Sequence, residues 1–358
     1  MKILFYINAI HHGGAERVMC NLATQFSEHG DDCILTTSFR DNWEYPFGEN
    51  VRRITLFESQ LNCVFLRRNI SLIRKLRKIL KTEKPDIIVS FMAEPNFRTL
   101  IAARGLNVKT IVSVRNDPNK EYPNFIYRFL AKHLYKKADG IVFQTAEAKK
   151  WFPKKLQKKS AVIMNETTEE FYDMEYVGGN DIVTLGRLVK QKNQKLLIEA
   201  FASIADQYPD TNLKIYGEGP LKTELLEFIE KLNMADRIYL MGSTKDVGEV
   251  LSTSKIFVLS SDYEGMPNAL LEALTVGVPS IATDCPCGGP RDLIENGVNG
   301  LLVRQNNREE MIFALKKMLD NEEAAKLMGR KAKERAKNYH PDIIFSEWKN
   351  YVERIICS

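Results

Sequence analysis

Two glutamates, Glu264 and Glu272, bracket the run EGMPNALLE, which follows the apolar stretch KIFVLSS after Asp262 and Tyr263. Pro267 suits the first position of a helix, with Glu264 just outside it. The free N–H groups and positive dipole end of such a helix start favour a phosphate or a developing anionic oxygen. Gly265, Met266, Pro267, Asn268 and Ala269 would line that start. Glu272, more than a turn inside, offers a carboxylate that can accept two hydrogen bonds from a vicinal diol, and Glu264 can orient hydroxyl groups. The same pair could equally bracket an ordinary capped helix.

A second set of charges lies in GRLVKQKN, residues 186–193, after the apolar run IVTL. Arg187 supplies a planar fork and Lys192 a compact cation, the charges a departing diphosphate needs as negative charge builds on its terminal phosphate. Alone, an Arg and a Lys after a strand are usually solvated. A third set is Gly13-Gly14-Ala15-Glu16-Arg17, where two glycines let the backbone approach a ligand and a helix start follows. It is not GxGxxG, so dinucleotide binding is unsupported, and a plain tight turn is the alternative.

These residues need strands to present them. Short runs of Ile, Val, Leu and Phe alternate with segments of helical period, the pattern of βαβ units and a mostly parallel sheet. Strands are expected at residues 2–7, 32–37, 54–56, 87–91, 110–114 and 140–144, with helices such as 15–29 and 70–81 between them. The pattern restarts at 182–185 and continues at 212–216, 238–241, 256–260, 279–283 and 300–303. Two Rossmann-like α/β domains follow, 1–166 and 167–338, with the carboxyl ends of their strands lining a central cleft where ligands bind. Residues 165–180 (NETTEEFYDMEYVGGN) have little periodicity and are expected to be a linker. Residues 339–358, with Trp348 and Tyr351, are expected to form a helix that packs back on the first domain. Among the aromatic residues of 122–135, core packing is favoured over an acceptor groove.

At 358 residues the chain is long enough for two ordinary domains, and no fixed-period repeat argues for a solenoid. No stretch approaches the ~18 consecutive apolar residues of a membrane span. The opening MKILFYINAIHHGG lacks a small-residue cleavage site and suits a buried first strand. Cys20, Cys33, Cys63, Cys285, Cys287 and Cys357 form no paired framework, which points to a reducing cytoplasm; Cys285 and Cys287 are expected to be structural. His11, His12, His29, His133 and His340 have no metal-ligand spacing. The net charge of +5 hides an asymmetry: residues 1–166 hold 28 Lys and Arg against 16 Asp and Glu, the remainder 23 against 30. Basic stretches at 67–84 and 149–159 are interleaved with apolar residues, which suits either a solvated face or an anionic membrane surface. No nucleic-acid recognition module is present.

Taken together, GGAERV near the start, GRLxxxK at the opening of the second half, and EGMPNALLE followed by GVPSIATDCPCGGPRDLIENGVNGLLV resemble the family 4 retaining glycosyltransferases of the GT-B fold. The resemblance spans nearly the whole chain. SVRNDP (residues 113–118) and CPCGGPRD are similar to the bacterial branch that builds capsular and other surface polysaccharides. By that resemblance Arg187 and Lys192 clamp the diphosphate of a nucleotide sugar, with UDP favoured over GDP or ADP. Glu272 binds the ribose, Glu264 with residues 265–268 faces the transferred sugar, and Gly14 approaches the donor phosphates. Transfer would retain the anomeric configuration without a metal, the leaving phosphate oxygen taking the acceptor proton. The acceptor would be a glycan, lipid-linked at the inner membrane face, with Glu16, Arg115, Asn116 and Asp117 on its side of the site. Two departures stand out. Many relatives have a His where this chain has Arg115-Asn116-Asp117, and many have Asn-Pro where it has MNETTEEF. A sugar-nucleotide epimerase and a non-catalytic nucleotide-sugar binder are the alternatives, separable by acceptor dependence and by turnover.

Overall fold

The computed structural model describes residues 1–11, 13–59 and 64–358; His12 and Cys63 lie outside them. The chain forms two compact units, Met1–Asn165 with Asp342–Ser358, and Glu166–Pro341.

The first unit is built on a seven-stranded parallel sheet in the order β3-β2-β1-β4-β5-β6-β7. Its strands are β1 (Lys2–Ile7), β2 (Asp32–Phe39), β3 (Arg52–Phe57), β4 (Ile87–Phe91), β5 (Lys109–Val114), β6 (Gly140–Phe143) and β7 (Ser160–Val162). β4 is buried throughout and β1 and β5 nearly so, which is why they read as largely apolar runs. β7 went unforeseen, since its three half-buried residues sit against a lysine-rich run and carry no periodicity.

The second unit has six parallel strands in the order β10-β9-β8-β11-β12-β13. They are β8 (Ile182–Leu185), β9 (Leu213–Tyr216), β10 (Ile238–Gly242), β11 (Ile256–Leu259), β12 (Ser280–Thr283) and β13 (Leu301–Val303). In both sheets the order reverses beside the first strand, between β1 and β4 and between β8 and β11. Open α/β sheets bind ligands at that switch point, outside the carboxyl ends of the strands. Both units are therefore α/β, as the alternating pattern requires.

The helix Pro341–Cys357 belongs, from Asp342 onward, to the first unit. Its Trp348, Tyr351 and Val352 join the core formed by Phe5, Phe26 and Phe91. The Tyr351 hydroxyl accepts the Ile141 N–H at 2.8 Å and donates to the Lys159 carbonyl at 2.8 Å, tying the helix to β6 and the start of β7. A Cβ on Gly140 would lie 2.8 Å from that hydroxyl, so the strand needs glycine there.

Three expectations are corrected. Residues 165–180 are not a bare linker: they contain the helical turn Glu170–Asp173, whose Phe171 is buried. An apolar anchor without neighbours of helical period escapes a pattern search. The helix expected at 70–81 runs Phe65–Glu83, because its first turns carry exposed apolar residues that break the amphipathic pattern. The aromatic residues of 122–135 divide: Tyr122 and Tyr135 are fully buried, whereas Phe125 and Phe129 are 81% and 49% exposed.

Candidate functional site

In the second unit three loops meet at the carboxyl edge of the sheet. After β8 the chain turns at Gly186, whose φ of +156° leaves the side open. The Lys192 stem occupies that side, its Cε 3.1 Å from where a Cβ would stand. Gly217, past the end of β9, presses against the same turn; a Cβ there would lie 2.0 Å from the Gly186 carbonyl oxygen. Lys192 closes the short turn Lys190–Lys192. Its Nζ lies 2.6 Å from Glu264 Oε1, on the loop after β11.

Glu264 is the focus of this loop. Oε1 also accepts the Ser261 hydroxyl at 2.6 Å, and Oε2 accepts Gln191 Nε2 at 3.3 Å. The two loops are further joined by Ser260 Oγ donating to the Lys192 carbonyl (2.9 Å) and by the Asp262 N–H donating to the Gln191 carbonyl (2.8 Å). Such partners offset the cost of burying a carboxylate. Lys192 and Glu264, expected to serve different parts of a ligand, are thus paired with each other. Ser261 and Gln191 were not foreseen as site residues; single polar residues at a strand end carry no spacing signal.

The loop after β12 buttresses this arrangement. Thr283 Oγ1 and Cys285 Sγ both donate to the Ser261 carbonyl, at 2.5 and 3.4 Å. Gly289 packs so closely on Gly265 that a Cβ would stand 1.8 Å from its carbonyl oxygen. Burial, aided by the Glu264 charge, pushes the Cys285 thiol up to about 12, which keeps it protonated and unreactive.

The helix Asn268–Val276 begins one residue later than expected. Pro267 is its N-cap rather than its first helical residue, because its ψ of 108° is extended while its carbonyl accepts the Leu271 N–H. Gly265, Met266 and Pro267 are buried, and Asn268 and Ala269 half-buried. Glu272, 5% exposed, lies on the second turn of the same helix. Arg187 has a fixed backbone, its carbonyl accepting Gln194 Nε2 at 3.0 Å, and an exposed side chain.

The remaining candidates lie in the first unit, at the carboxyl ends of β1 and β5, the two neighbours of β4. Gly13 is the extended N-cap of the helix Gly14–Glu28. Glu16 folds back over it, one carboxylate oxygen 1.9 Å from where a Gly13 Cβ would be. Gly14 itself is exposed. Arg115, just past β5, is buried, with its guanidinium 4.4 Å from the centre of the Phe91 ring and Nη2 donating to Asn165 Oδ1 at 2.5 Å. Asn116 Oδ1 accepts the Asp117 N–H at 2.8 Å. Asp117 caps the turn Pro118–Glu121, accepting the Asn119 N–H at 2.9 Å. The structure therefore brings Lys192, Glu264 and the helix start together, sets Asp117 to cap the turn of its own loop, and folds Glu16 over Gly13.

The model of the group 1 glycosyl transferases matches residues 167–335, and that of glycosyltransferase family 4 matches residues 12–165. An uncharacterized glycosyltransferase of Methanocaldococcus jannaschii is 31% identical over 337 residues, covering 79% of this chain and 82% of its own. The chain belongs to the family 4 glycosyltransferases. This glycosyltransferase is also 27% identical, over 99% of both chains, to the GalNAc-alpha-(1->4)-GalNAc-alpha-(1->3)-diNAcBac-PP-undecaprenol alpha-1,4-N-acetyl-D-galactosaminyltransferase of Campylobacter jejuni. Its fold matches HepE of Anabaena, solved in complex with UDP, with a TM-score of 0.83 at 17% identity over 99% of this chain and 100% of that one. The glycosyltransferase is thus built on the GT-B architecture.

Proposed function

We propose that the protein transfers a hexose or N-acetylhexosamine, with retention, from a UDP-sugar to a hydroxyl of a lipid-linked glycan in the synthesis of a bacterial surface polysaccharide such as capsule. The observation that carries this reading is the Lys192–Glu264–Ser261 knot at the start of the helix bearing Glu272. Lys192 and the exposed Arg187 would neutralise the diphosphate as its bond to the sugar loosens. Glu264, held in one orientation, would direct a sugar hydroxyl, and Glu272 would hold the ribose diol. Charges placed in advance at a developing anion are the largest single source of catalysis in such transfers. The leaving phosphate oxygen takes the acceptor proton on the same face, so the reaction needs neither a protein base nor a metal. The Campylobacter relative's name, with its undecaprenol-linked glycan, and the UDP bound by HepE support the choice of acceptor and nucleotide.

Purified protein would be incubated with separate UDP-sugars, with and without an extract of lipid-linked glycans, beside Glu272→Ala and with EDTA present. UDP release that needs one sugar nucleotide and the extract, survives EDTA and disappears in the variant is the expected result. The product's anomeric configuration, read by proton NMR, tests retention. Donor conversion without an acceptor would favour an epimerase, and binding without turnover a silent binder.

An anionic membrane surface fits the first unit as the place where the lipid-linked acceptor is met. Phe65, Leu66 and Ile70 on the helix Phe65–Glu83 and Phe125, Ile126 and Phe129 on the helix Phe125–Leu134 are exposed, with Arg67 and Lys132 among them. Both helices are joined through the helix Ala93–Ala102, by Arg98 Nε to Asn69 Oδ1 (2.7 Å) and the Tyr127 hydroxyl to Glu94 Oε1 (3.0 Å). Apolar residues ringed by cations suit the headgroup boundary of an anionic bilayer. Not every cation of the stretch serves: Lys75 donates to the Leu56 carbonyl, and Arg77 to those of Ala102 and Arg104. Charge reversal of Arg67 and Arg74 with Phe125→Ser should abolish flotation with anionic liposomes, and unchanged flotation would sink the membrane reading.

A further inference from the structure

Glu121, the last residue of the turn Pro118–Glu121, is a buried carboxylate with no role in the chemistry above. Its Oε2 accepts two consecutive backbone N–H groups, those of Arg115 and Asn116, each at 3.0 Å. These are the first N–H groups past the end of β5. Its Oε1 lies 3.3 Å from the Tyr122 hydroxyl, which is 2.8 Å from the Tyr135 hydroxyl. Asn96 Nδ2 donates to the Tyr135 hydroxyl at 2.9 Å and to the Ser113 carbonyl at 2.8 Å, while Asn96 Oδ1 accepts Ser90 Oγ at 2.8 Å. Ser90 lies on β4 and Ser113 on β5, so one fully buried chain of hydrogen bonds runs from the centre of the sheet to the loop Arg115-Asn116-Asp117. Fully satisfied buried polar networks hold one geometry, because any rearrangement strands a polar group.

We propose that Glu121 is a positioning residue for acceptor recognition: it fixes the backbone of Arg115 and Asn116 against the sheet and so sets how Asn116 and Asp117 are presented to the acceptor. This rests on the reading that the loop after β5 meets the acceptor. Glu121 touches no reacting atom; it acts through the two N–H groups it holds.

The arrangement makes the hold sensitive to pH. Burial pushes the Glu121 carboxyl up to about 7, against the opposing pull of the two N–H groups, the Tyr122 hydroxyl and the Arg115 charge. The groups facing it are Arg115 from the end of β5, Tyr122 on its own segment and Tyr135 on the turn Tyr135–Lys137, with neutral Asn96 behind them. Because the folded value lies above the ordinary 4.5, the native state binds this proton more tightly than the unfolded chain. The group's stabilising contribution is full below pH 4.5 and is lost as pH rises towards 7. Grip on the loop follows the opposite sense, since an ionised carboxylate accepts N–H bonds more strongly than a neutral acid.

The acceptor KM should therefore rise about three- to tenfold as pH falls from 8 to 6, the difference between charged and neutral hydrogen bonds, with the donor KM unmoved. Glu121→Gln, which keeps an acceptor oxygen without the charge, should show the high acceptor KM at both pH values. Glu121→Ala should raise it further and, in amide exchange corrected for intrinsic rates, lose protection in the peptide spanning residues 113–119. If the Ala variant does not fold, the wild-type and Gln profiles still decide. A Gln variant with the wild-type pH profile of acceptor KM would overturn the proposal. So would loop protection lost in Glu121→Ala with the acceptor KM unchanged, and that result would place the failure in the acceptor reading of the loop rather than in the hold itself. If donor turnover is absent as well, the glycosyl-transfer reading fails instead, while the exchange data still report whether Glu121 holds the loop.

Discussion

The carboxyl edges of the two sheets use polar residues in opposite ways. In the second unit, Lys192, Ser261 and Gln191 converge on the carboxylate of Glu264, and the glycines at 186, 217 and 289 let three loop backbones close around it. In the first unit, Asp117 caps a turn, Glu16 folds over Gly13, and Glu121 holds backbone N–H groups. One edge pairs a carboxylate with an ammonium between its loops; the other uses its side chains to shape single loops. Charges fixed in advance suit a ligand of fixed charge, as the proposed nucleotide diphosphate would be. A loop held by backbone bonds can carry different residues at its tip without losing its conformation.

The contrast can be tested from its largest expected effect downward. Trp348 is fully buried against Phe91 in the first unit's core, so Trp348→Ala should cost about 3–5 kcal/mol. Thermal unfolding should show the loss in the first unit, with amide exchange of the second unit's core unchanged. Removing the whole helix Pro341–Cys357 should be worse, and an unaltered melting profile after truncation at Tyr339 would refute its structural role.

Lys192→Ala should lower kcat about 10²–10³-fold, the range for deleting one preorganised group at a developing anion. It also leaves Glu264, whose side chain is only 9% exposed, without its cation. A variant with normal kcat and a raised donor KM would instead assign Lys192 to ground-state binding.

The same substitution at two glycines then separates the edges directly. Gly289→Ala drives a Cβ to 1.8 Å from the Gly265 backbone oxygen, which cannot yield without moving the loop of Glu264. A rise in donor KM is expected, along with a loss of about 1–3 kcal/mol in stability. Gly13→Ala meets only the flexible end of Glu16, and alanine's poorer capping should cost about 1 kcal/mol or less by thermal unfolding. Equal effects at the two positions would erase the distinction drawn between them.

Much of this was present in the residue order alone. The buried strands were legible because a parallel sheet covered on both faces demands unbroken apolar runs, and the observed ends of β1, β4 and β8 coincide with those runs. EGMPNALLE and GRLVKQKN were visible as candidates because a helix start and paired cations have local signatures. That the chain reads as a family 4 glycosyltransferase rests on the same motifs. Only the folded chain decided who pairs with whom. Lys192 and Glu264 are 72 residues apart, Glu264 and the buttress at Gly289 lie on different loops, and Glu121 meets Asn96 through two tyrosines. Periodicity records which face of an element is buried. Hydrogen-bond partners between loops are set by the packing of strands distant in sequence, and no local spacing encodes them.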